Sequence, residues 1–499
     1  MRILPALSRC LPLACAVALA GCASTGQLES TAVPRDPASL AASQSLAGVH
    51  TDTRAWPRLG WWHVLGDAQL DQLVDQALAD SPGLAIADAR TQAALAAAGA
   101  ADAARLPTLN GGASVAGARL PPMLPPLASG HFGVIRYGYL SFSWDLDAWG
   151  GQRAAWQAAV GSARAAAIDA RAARLKLAAS VVQAYFDLSA AHTTQALAGA
   201  ELQRAQDFLD LTRQRVASGI DNQLSLHQLE GEVAADQARL EAAANGVRTD
   251  QRVLAALLGA GPDRGLAIQP AALPRVPELH LPSKLPAELL GRRPDVLAAR
   301  WRVEAAGAAI DAAKAKFLPN LDISALAGLI APSALDFFSL GNRFYSIAPA
   351  ISLPIFEGGA LRANLAGKDA ARDLAVASYN RALVHAIHEV ADEIDALQSL
   401  ELQRQAASAA RTSAGSAYDL AMQRYRAGVG SFLEALAVRE QLIGAERHLA
   451  ELEAAQCKAW AMLNLSLGGG FEAPATAPAR AIAQLVLPTH EHADARPER

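Results

Sequence analysis

The stretch Arg424-Tyr425-Arg426-Ala427-Gly428-Val429-Gly430-Ser431-Phe432-Leu433-Glu434 decides the fold, because the longest helical patterning in the chain lies on both sides of it. No proline occurs from about Gly359 to Ala427, and none occurs from Ser431 to Leu467. A helix of about 68 residues is about 100 Å long at 1.5 Å per residue, several times the radius of an ordinary domain. We therefore predict two long helices that meet in a hairpin tip and project.

The same order of elements is predicted twice. One helix is expected between Pro82 and Pro107 and another between Pro294 and Pro319, and both intervals are 25 residues. Proline suits the first turn of a helix and cannot continue a helix that reaches it. Each helix is followed by alternating stretches, a Gly-Gly pair, a long helix, a glycine turn and a return helix. The matches, offset by 208 or 209 residues, are Gly150-Gly151 with Gly358-Gly359, Arg215 to Gly219 with Arg424 to Gly428, and Gly259 with Gly468.

The long helices carry apolar residues at steps of three and four, which is the pattern of coiled-coil packing. In each repeat, the short helix of about 24 residues and the return helix of about 38 together match the long helix in length. We therefore expect them to stack end to end beside it. The apolar stripe of the second long helix, predicted to be core, is Tyr379, Leu383, Ile387, Val390, Ile394 and Leu397.

Four stretches alternate between apolar and small or polar residues. The clearest are Leu140 to Asp147 and Tyr345 to Ile355, and weaker versions are Leu109 to Val115 and Leu321 to Ser324. Each covers about 10–12 residues, the length of a tilted strand that crosses a bilayer. A strand of a soluble sandwich would alternate in the same way. The pattern alone leaves both possibilities open.

The first residues read as a secretory signal peptide, residues 1–21, with Arg2 and Arg9 before an apolar run too short to span a membrane. Its end, Leu19-Ala20-Gly21-Cys22, resembles the bacterial lipobox, in which the cysteine is acylated and becomes the N-terminus. The alternative is an ordinary cleavage site with an incidental cysteine. By the same resemblance, Ala23 and Ser24 after the cysteine indicate sorting to the outer membrane.

Cysteine content and charge argue against a disulfide-bonded protein and against a nucleic-acid-binding protein. Cys457 is the one thiol expected in the mature chain, because Cys10 and Cys15 leave with the signal and Cys22 carries lipid, so no intrachain disulfide is expected. The loss of two arginines changes the formal charge from −4 to −6. That charge is too small to suggest a nucleic-acid partner.

Four strands cannot form a membrane barrel alone, because the smallest such barrels have about eight and open edges are not tolerated in lipid. Two copies would give about eight strands, with barely room for side chains, and three would give about twelve with a lumen. A homotrimer is therefore predicted. The expected fold is mainly α with a transmembrane β-barrel part.

The predicted boundaries follow these changes in pattern. Prolines crowd residues 260–286, which are expected to form an extended linker between the repeats, and the proline-containing tail is expected to be disordered. The predicted segments are the signal peptide 1–21, a lipidated N-terminal segment 22–66, a first repeat 67–259, the linker 260–286, a second repeat 287–468 and the tail 469–499.

Several short motifs together resemble the outer-membrane efflux channel family, the TolC/OprM-like proteins. The resemblance extends from about Trp56 to Gly468, and the lipobox points to the NodT-like lipoprotein branch. The motifs are Leu281-Pro282-Ser283, Glu288 to Val296, Phe317-Leu318-Pro319, Leu353 to Gly359 and Arg424 to Gly428.

The resemblance implies a trimer with a twelve-stranded outer-membrane barrel and a periplasmic α-helical tube. It also implies two partners, a periplasmic adaptor protein and an inner-membrane transporter, and a passive channel driven by that transporter. Outer-membrane lipid would be attached through Cys22. The resemblance implies no enzyme activity, no catalytic residue, no cofactor and no metal.

In this family the two helix tips, here around Gly219 and Gly428, are where the adaptor docks and where the resting tube is closed. The tip residues that follow from the resemblance are Arg215, Gly219, Arg424, Gly428 and Ser431. Some relatives carry two acids just after the second tip, and Glu434 matches the first of them as a periplasmic gate. In those relatives the acids form a ring that binds cations and closes the pore. The second acidic position is occupied here by Ala437, so this chain departs from a full double ring.

The sequence offers one candidate metal site and one alternative function. His385 and His388 have a spacing that can bind zinc, but long exposed helices collect such residues, so no metal site is expected. The alternative function is a structural envelope lipoprotein, a spacer or adhesin scaffold without a pore, which would not need alternating strands of membrane length.

Overall fold

The computed structural model of the protein describes residues 25, 31–40, 51–52, 56–119, 132–277, 281–282, 291–331 and 334–472. The predicted signal peptide, the lipobox cysteine Cys22 and the chain from residue 473 onward lie outside the described residues. Their predictions therefore remain predictions.

The long helices have the predicted positions. Two helices of 67 residues each are followed by return helices of 35 residues each, and 67 residues correspond to about 100 Å. Among the described residues, no helix combines the length and the apolar character that a membrane-crossing helix needs. The helices are α1 (Ala68–Asp80), α2 (Pro82–Ala103), α3 (Gly151–Ala217), α4 (Gln223–Leu257), α5 (Pro294–Ala315), α6 (Ala360–Arg426) and α7 (Phe432–Ser466).

Each long helix is lined by a short helix and a return helix, as the lengths predicted. Helices α2 and α4 pack along α3, and α5 and α7 pack along α6. All six residues of the predicted apolar stripe on α6 are buried. Helix α5 also packs along α3, a contact between the repeats that the sequence did not predict. A Cβ atom added at Gly161 would come within 3.0 Å of Ala305 Cβ, so small residues allow this close approach.

The largest core lies midway along the long helices. Trp61 and Trp62, predicted to lie in the N-terminal segment, belong to this core, where Trp61 meets Trp460 edge-to-face with ring centroids 5.2 Å apart. Helix α1, which was not predicted from the sequence, also packs here. Its N-cap residue Asp67 accepts hydrogen bonds from two backbone N–H groups of the first turn and from Tyr185 Oη at 2.6 Å. Burial and this hydrogen bond raise the pKa of Tyr185.

The linker and the start of the tail are more ordered than expected. Residues 260–277 include a helical turn, Asp263–Leu266, and the following extended residues pack on the central core. Further on, Leu281–Pro282 forms a short parallel bridge with Thr51–Asp52. The tail was predicted to begin at 469, but Phe471 is buried in a cluster with Ile168, so the packed chain extends past that boundary.

Four strands form one antiparallel sheet in the order β1-β2-β3-β4. The strand predicted to end at Ile355 ends at Ser352, because Pro354 follows and cannot donate a ladder hydrogen bond. The strands are β1 (Thr108–Arg119), β2 (Phe132–Leu146), β3 (Asn320–Ala331) and β4 (Arg343–Ser352).

The register gives the sheet two different faces. Leu140 is opposite Gly111 and Ala327, and Ser143 is opposite Thr108 and Ser324, so like residues share a face. The apolar face comprises Leu109, Val115, Leu140, Phe142, Trp144, Ile323, Leu329, Ile347 and Ile351, with their neighbours in register. The opposite face, which we call the polar face, carries polar residues toward the helices and also, mainly toward the remote end, Ile135, Tyr137, Tyr139, Leu326, Ile330 and Phe344. Its polar residues are Thr108, Asn110, Ser141, Ser143, Asp145, Asp322, Ser324, Ser346 and Ser352.

Within the described part of the chain, the apolar face is left largely uncovered, apart from the Phe337 ring over Gly138. Leu109, Ile347 and Ile351 are each at least 69% exposed. The other sheet among the described residues is the two-residue bridge, and β1 and β4 each have one unpaired edge. The sheet is therefore open along both edges and apolar on one side.

Candidate functional site at the helical tips

Both tips are built in the same way. Gly219 has φ +72° and Gly428 has φ +73°, the left-handed conformation that favours glycine at a helix end. Ile220 N donates to Arg215 O at 2.9 Å, and Val429 N donates to Arg424 O at 3.1 Å. These bonds from the third residue past the last helical residue are typical of the Schellman motif. The predicted tip glycines thus end the two long helices.

The return helices start with side-chain caps. Ser431 Oγ accepts a hydrogen bond from Glu434 N at 3.1 Å, and Asn222 Oδ1 accepts one from Ser225 N at 3.1 Å. Each cap satisfies a backbone donor that has no partner within the helix. The structure thus gives Ser431 a local role in forming the second tip.

Arg215, which was predicted as a tip and adaptor-docking residue, connects the two tips. Its Nη1 donates to Tyr425 O at 2.7 Å, its Nε donates to Asp221 Oδ2 at 2.8 Å, and its guanidinium lies 4.2 Å from the Tyr425 ring centroid. The Tyr425 hydroxyl donates to the same Asp221 carboxylate, and Thr212 Oγ1 lies 3.1 Å from Tyr425 Oη. We call Thr212, Arg215, Asp221 and Tyr425 the tip latch.

The latch holds its charges in fixed states. The hydrogen bonds that Arg215 donates to Asp221 lower the pKa of Asp221 and raise the pKa of Arg215. Burial, followed by the hydrogen bond to Asp221, raises the pKa of Tyr425, so the hydroxyl keeps its proton. The latch is therefore an ionised carboxylate held by a cation and a neutral phenol.

An aromatic cluster lies behind the latch. Phe208 meets Tyr425 edge-to-face with ring centroids 5.3 Å apart and lies 5.5 Å from the ring of Phe432. Tyr425 and Phe208 are both fully buried. Because α3 contributes Phe208 and the second hairpin contributes the other two, the cluster joins the hairpins.

The remaining predicted residues lie on the surface. Arg424 points away from the latch and lies 3.7 Å from Glu434 Oε1, and both side chains are about half exposed. Ala437 is exposed one turn beyond Glu434. The structure does not bring Glu434 into contact with Arg215 or Gly219.

Sequence reasoning missed Tyr425, Asp221 and Thr212. Two differences between the repeats could have indicated these residues. Tyr425 corresponds to Val216 in the first repeat, and Asp221 corresponds to Gly430 in the second. A tyrosine and an aspartate that each replace a nonpolar residue in one copy of a repeat indicate a role specific to that copy.

Two pairs of exposed apolar residues stand just past the tip glycines. Ile220 and Leu224 are 62% and 65% exposed, and Val429 and Leu433 are 71% and 66% exposed. The second pair follows the first at the repeat offset of 209 residues. Each tip therefore presents a similar apolar surface, which we call the tip pair.

A ladder of ion pairs joins the hairpins above the tips. Arg439 on α7 pairs with Asp236 on α4, and both side chains are fully buried. Further up, Arg204 Nη2 lies 2.6 Å from Glu446 Oε2, and Arg447 Nε donates to Glu201 Oε1 at 3.0 Å. In the fully buried pair of Arg439 and Asp236, removal of one partner would leave an uncompensated buried charge, which costs about 3–5 kcal/mol.

Comparison with known proteins identifies the family. The sequence profile of the outer membrane efflux protein family matches residues 73–260 and 285–469. The chain is 36% identical over 364 residues to the fusaric acid resistance protein FusA of Burkholderia cepacia, covering 72% of this chain and 68% of that protein. It is 32% identical over 439 residues to the multidrug resistance outer membrane protein MdtP of Escherichia coli K12, covering 85% and 89%.

Solved structures have the same fold. The outer membrane protein VceC of Vibrio cholerae superposes with a TM-score of 0.79 at 34% identity, covering 84% of this chain and all of that one. The CmeC outer membrane channel of Campylobacter jejuni superposes with a TM-score of 0.83, covering 91% and 96%, and at 22% identity it supports the fold alone. The chain therefore belongs to the outer membrane efflux protein family.

Proposed function

We propose that the protein is the passive exit channel of a tripartite efflux system for drugs and other small molecules. Three copies would close one twelve-stranded barrel in the outer membrane, and their helices would form a periplasmic tube. An inner-membrane transporter would supply the energy, and a periplasmic adaptor would dock at the tips. The channel needs no catalytic residue.

The observation that carries this proposal is the sheet. Its apolar face is exposed, its polar face carries serines and two aspartates, and its edge strands are unpaired among the described residues. Such a sheet is unstable in water and is not tolerated in lipid until its edges are paired. Closure by three copies gives every edge a partner and turns the polar face toward a lumen wide enough for solutes. A pore-free spacer would leave the apolar face unexplained.

The N-terminal segment supports a lipid anchor at the barrel end. Ala32 N donates to Asp373 Oδ1 at 3.0 Å, and Arg35 N donates to Asn380 Oδ1 at 2.7 Å, so lower residue numbers lie nearer the sheet. Asp373 is about 20 Å along α6 from its start at Ala360. The ten residues from Cys22 to Ala32 can span up to about 33 Å. Acylated Cys22 can thus reach the membrane, and Cys22→Ala should abolish lipid labelling.

The tips are proposed as the docking and closing end of the tube. The two tip pairs are exposed, apolar and repeated, so a trimer would present six similar surfaces to an adaptor. Arg215, Gly219, Arg424, Gly428 and Ser431 form or flank these surfaces. Glu434 is proposed as the periplasmic gate, where like charges around a narrow axis would attract cations. Unchanged divalent-cation block in Glu434→Ala would place the gate elsewhere.

The number of copies tests the proposal. We expect the full chain, extracted from the outer membrane in mild detergent, to give a native mass of three acylated copies. A monomer at all protein concentrations would contradict it, because one copy cannot pair its own strand edges. Heating should release monomers in one step as the shared barrel opens.

A further inference from the structure

Three arginines lie on the apolar face at the end of the sheet remote from the helices. Arg119 is opposite Phe132, Arg136 is opposite Val115 and Ala331, and Arg343 is opposite Leu329. These pairings place all three arginines level with the first seven residues of β2. They share the face of Leu140 and Phe142, which would contact lipid if the sheet spans the membrane. We call this set the arginine rim.

The rim lies at the expected depth for headgroups. Ten residues of β2 separate Leu146 from Arg136, which is about 33 Å along the strand and a rise of about 25 Å at a tilt of about 40°. That rise matches the apolar band of an outer-membrane barrel. Because the helices extend from the other end of the sheet, the rim belongs to the outer leaflet.

Aromatic residues of the apolar face occur at both of these levels, and Phe142 and Tyr345 lie between them. Trp144 lies on the apolar face near the helices, whereas Phe132 and Phe337 lie at the remote end, with the Phe337 ring over Gly138. Aromatic residues are enriched at both interfaces of membrane barrels. The rim therefore lies among the residues that would surround lipid headgroups.

The charge of the rim selects an anion. Asp145 and Asp322 are opposite each other on the polar face, so neither acid of the paired strands shares the rim's face. Asp336, in the turn between β3 and β4, is an exposed acid close in sequence to Arg343. Arg343 is exposed. Arginine binds phosphate oxygens through a planar fork of donors.

We propose that Arg119, Arg136 and Arg343 form a binding surface for the phosphorylated headgroups of outer-leaflet glycolipid. This inference rests on the proposed function, because it requires the sheet to span the outer membrane. Three copies of the chain would repeat the surface around the barrel. Bound lipid would then fix the depth of the channel in the membrane.

The test measures binding of lipid A by the purified full chain in detergent, using native mass spectrometry. One arm uses phosphorylated lipid A and the other uses the same lipid with its phosphates removed. We expect wild type to bind the phosphorylated form at least tenfold more tightly. The triple variant R119Q/R136Q/R343Q should lose that preference, and R119K/R136K/R343K should keep part of it. The control R171Q/R252Q/R381Q, which removes three exposed helix arginines, should behave as wild type.

If wild type binds the two lipids equally, the inference is wrong, whatever the variants do. Displacement of the lipid by an equal concentration of inorganic phosphate would also overturn it, because the site would then bind the free anion. Conductance of the same preparations in planar bilayers separates the two claims. Pores without a preference for phosphorylated lipid would refute the rim alone, whereas a protein without pores would refute the proposed channel and the rim with it.

Discussion

At the scale of single residues, Tyr425 explains how the two helical hairpins are held together at their tips. Its hydroxyl, its ring and its backbone carbonyl each contact the first hairpin, through Asp221, Phe208 and Arg215. The sequence indicated that Arg215 lies at a tip, because the repeat places it there. It did not indicate that Arg215 faces inward while Arg424 faces solvent, because that difference depends on how the two hairpins pack.

Replacing Tyr425 by Phe should loosen the latch while keeping the aromatic cluster. A hydrogen bond to a charged group contributes about 1.5–3 kcal/mol. The form in which the two hairpins separate at the tips should therefore become at least about tenfold more populated. We expect a higher resting conductance in planar bilayers. The matched control is Tyr418→Phe, since Tyr418 makes no hydrogen bond among the described residues. Equal conductance in the two variants would rule out the latch.

The latch should resist mild acid. Arg215 lowers the pKa of Asp221 in the folded protein, so its stabilisation is fully present above the unfolded value of about 3.9 and is lost as pH falls through the lower folded value. Resting conductance should therefore stay constant from about pH 7 to about pH 5 and rise only below about pH 4. Asp221→Asn should remove this acid-dependent rise. An increase already complete at pH 5 would show that another group controls opening.

Arg439 should be essential only while Asp236 is present. Arg439→Met leaves a fully buried carboxylate with the half-exposed Arg239 as its remaining close cation, and such a loss amounts to about 3–5 kcal/mol. The double variant R439M/D236L removes both charges and should recover most of that stability. Urea unfolding followed by helical circular dichroism measures the difference. Equal destabilisation in the single and double variants would mean that the loss comes from packing.

At the scale of elements, the sequence predicts what depends on local chemistry. Pro82 and Pro294 begin helices where expected, and the glycines at the tips end them. Helix α1 was missed, although Leu70, Leu73, Val74 and Ala77 have helical spacing and Asp67 caps the helix. The packing of α5 on α3 could not be predicted, because alanine and glycine surfaces such as Gly161 against Ala305 do not specify a partner.

The tip pairs should carry adaptor docking. Replacing Leu224 and Leu433 by Ser removes exposed apolar area without touching the latch, so the fold should be unchanged and affinity for the cognate adaptor should fall at least about tenfold. Surface-bound trimer and soluble adaptor can be compared directly. The matched control replaces Leu374 and Leu402, which are exposed on α6 away from the tip turn. Equal weakening by both double variants would contradict docking at the tips.

At the scale of the whole molecule, the four-stranded sheet is the part that one chain leaves incomplete. The alternation of Leu140 to Asp147 predicted two faces, and the cross-strand register aligns those faces over all four strands. A single chain supplies no partner for the edges of β1 and β4 among the described residues, and the homotrimer predicted from the strand count would supply one. The central claim is that they close between copies, with the polar face around a pore.

The most direct measurement is single-channel conductance during thiol modification of adjacent residues in β2. Ser143→Cys lies on the polar face and Phe142→Cys on the apolar face. Cys457 should not interfere, because burial raises its pKa to about 12 and a thiol reacts as its thiolate. A charged, bulky methanethiosulfonate should reduce each conductance step of Ser143→Cys and leave Phe142→Cys unchanged. The absence of discrete steps, or an equal effect at both positions, would contradict the account.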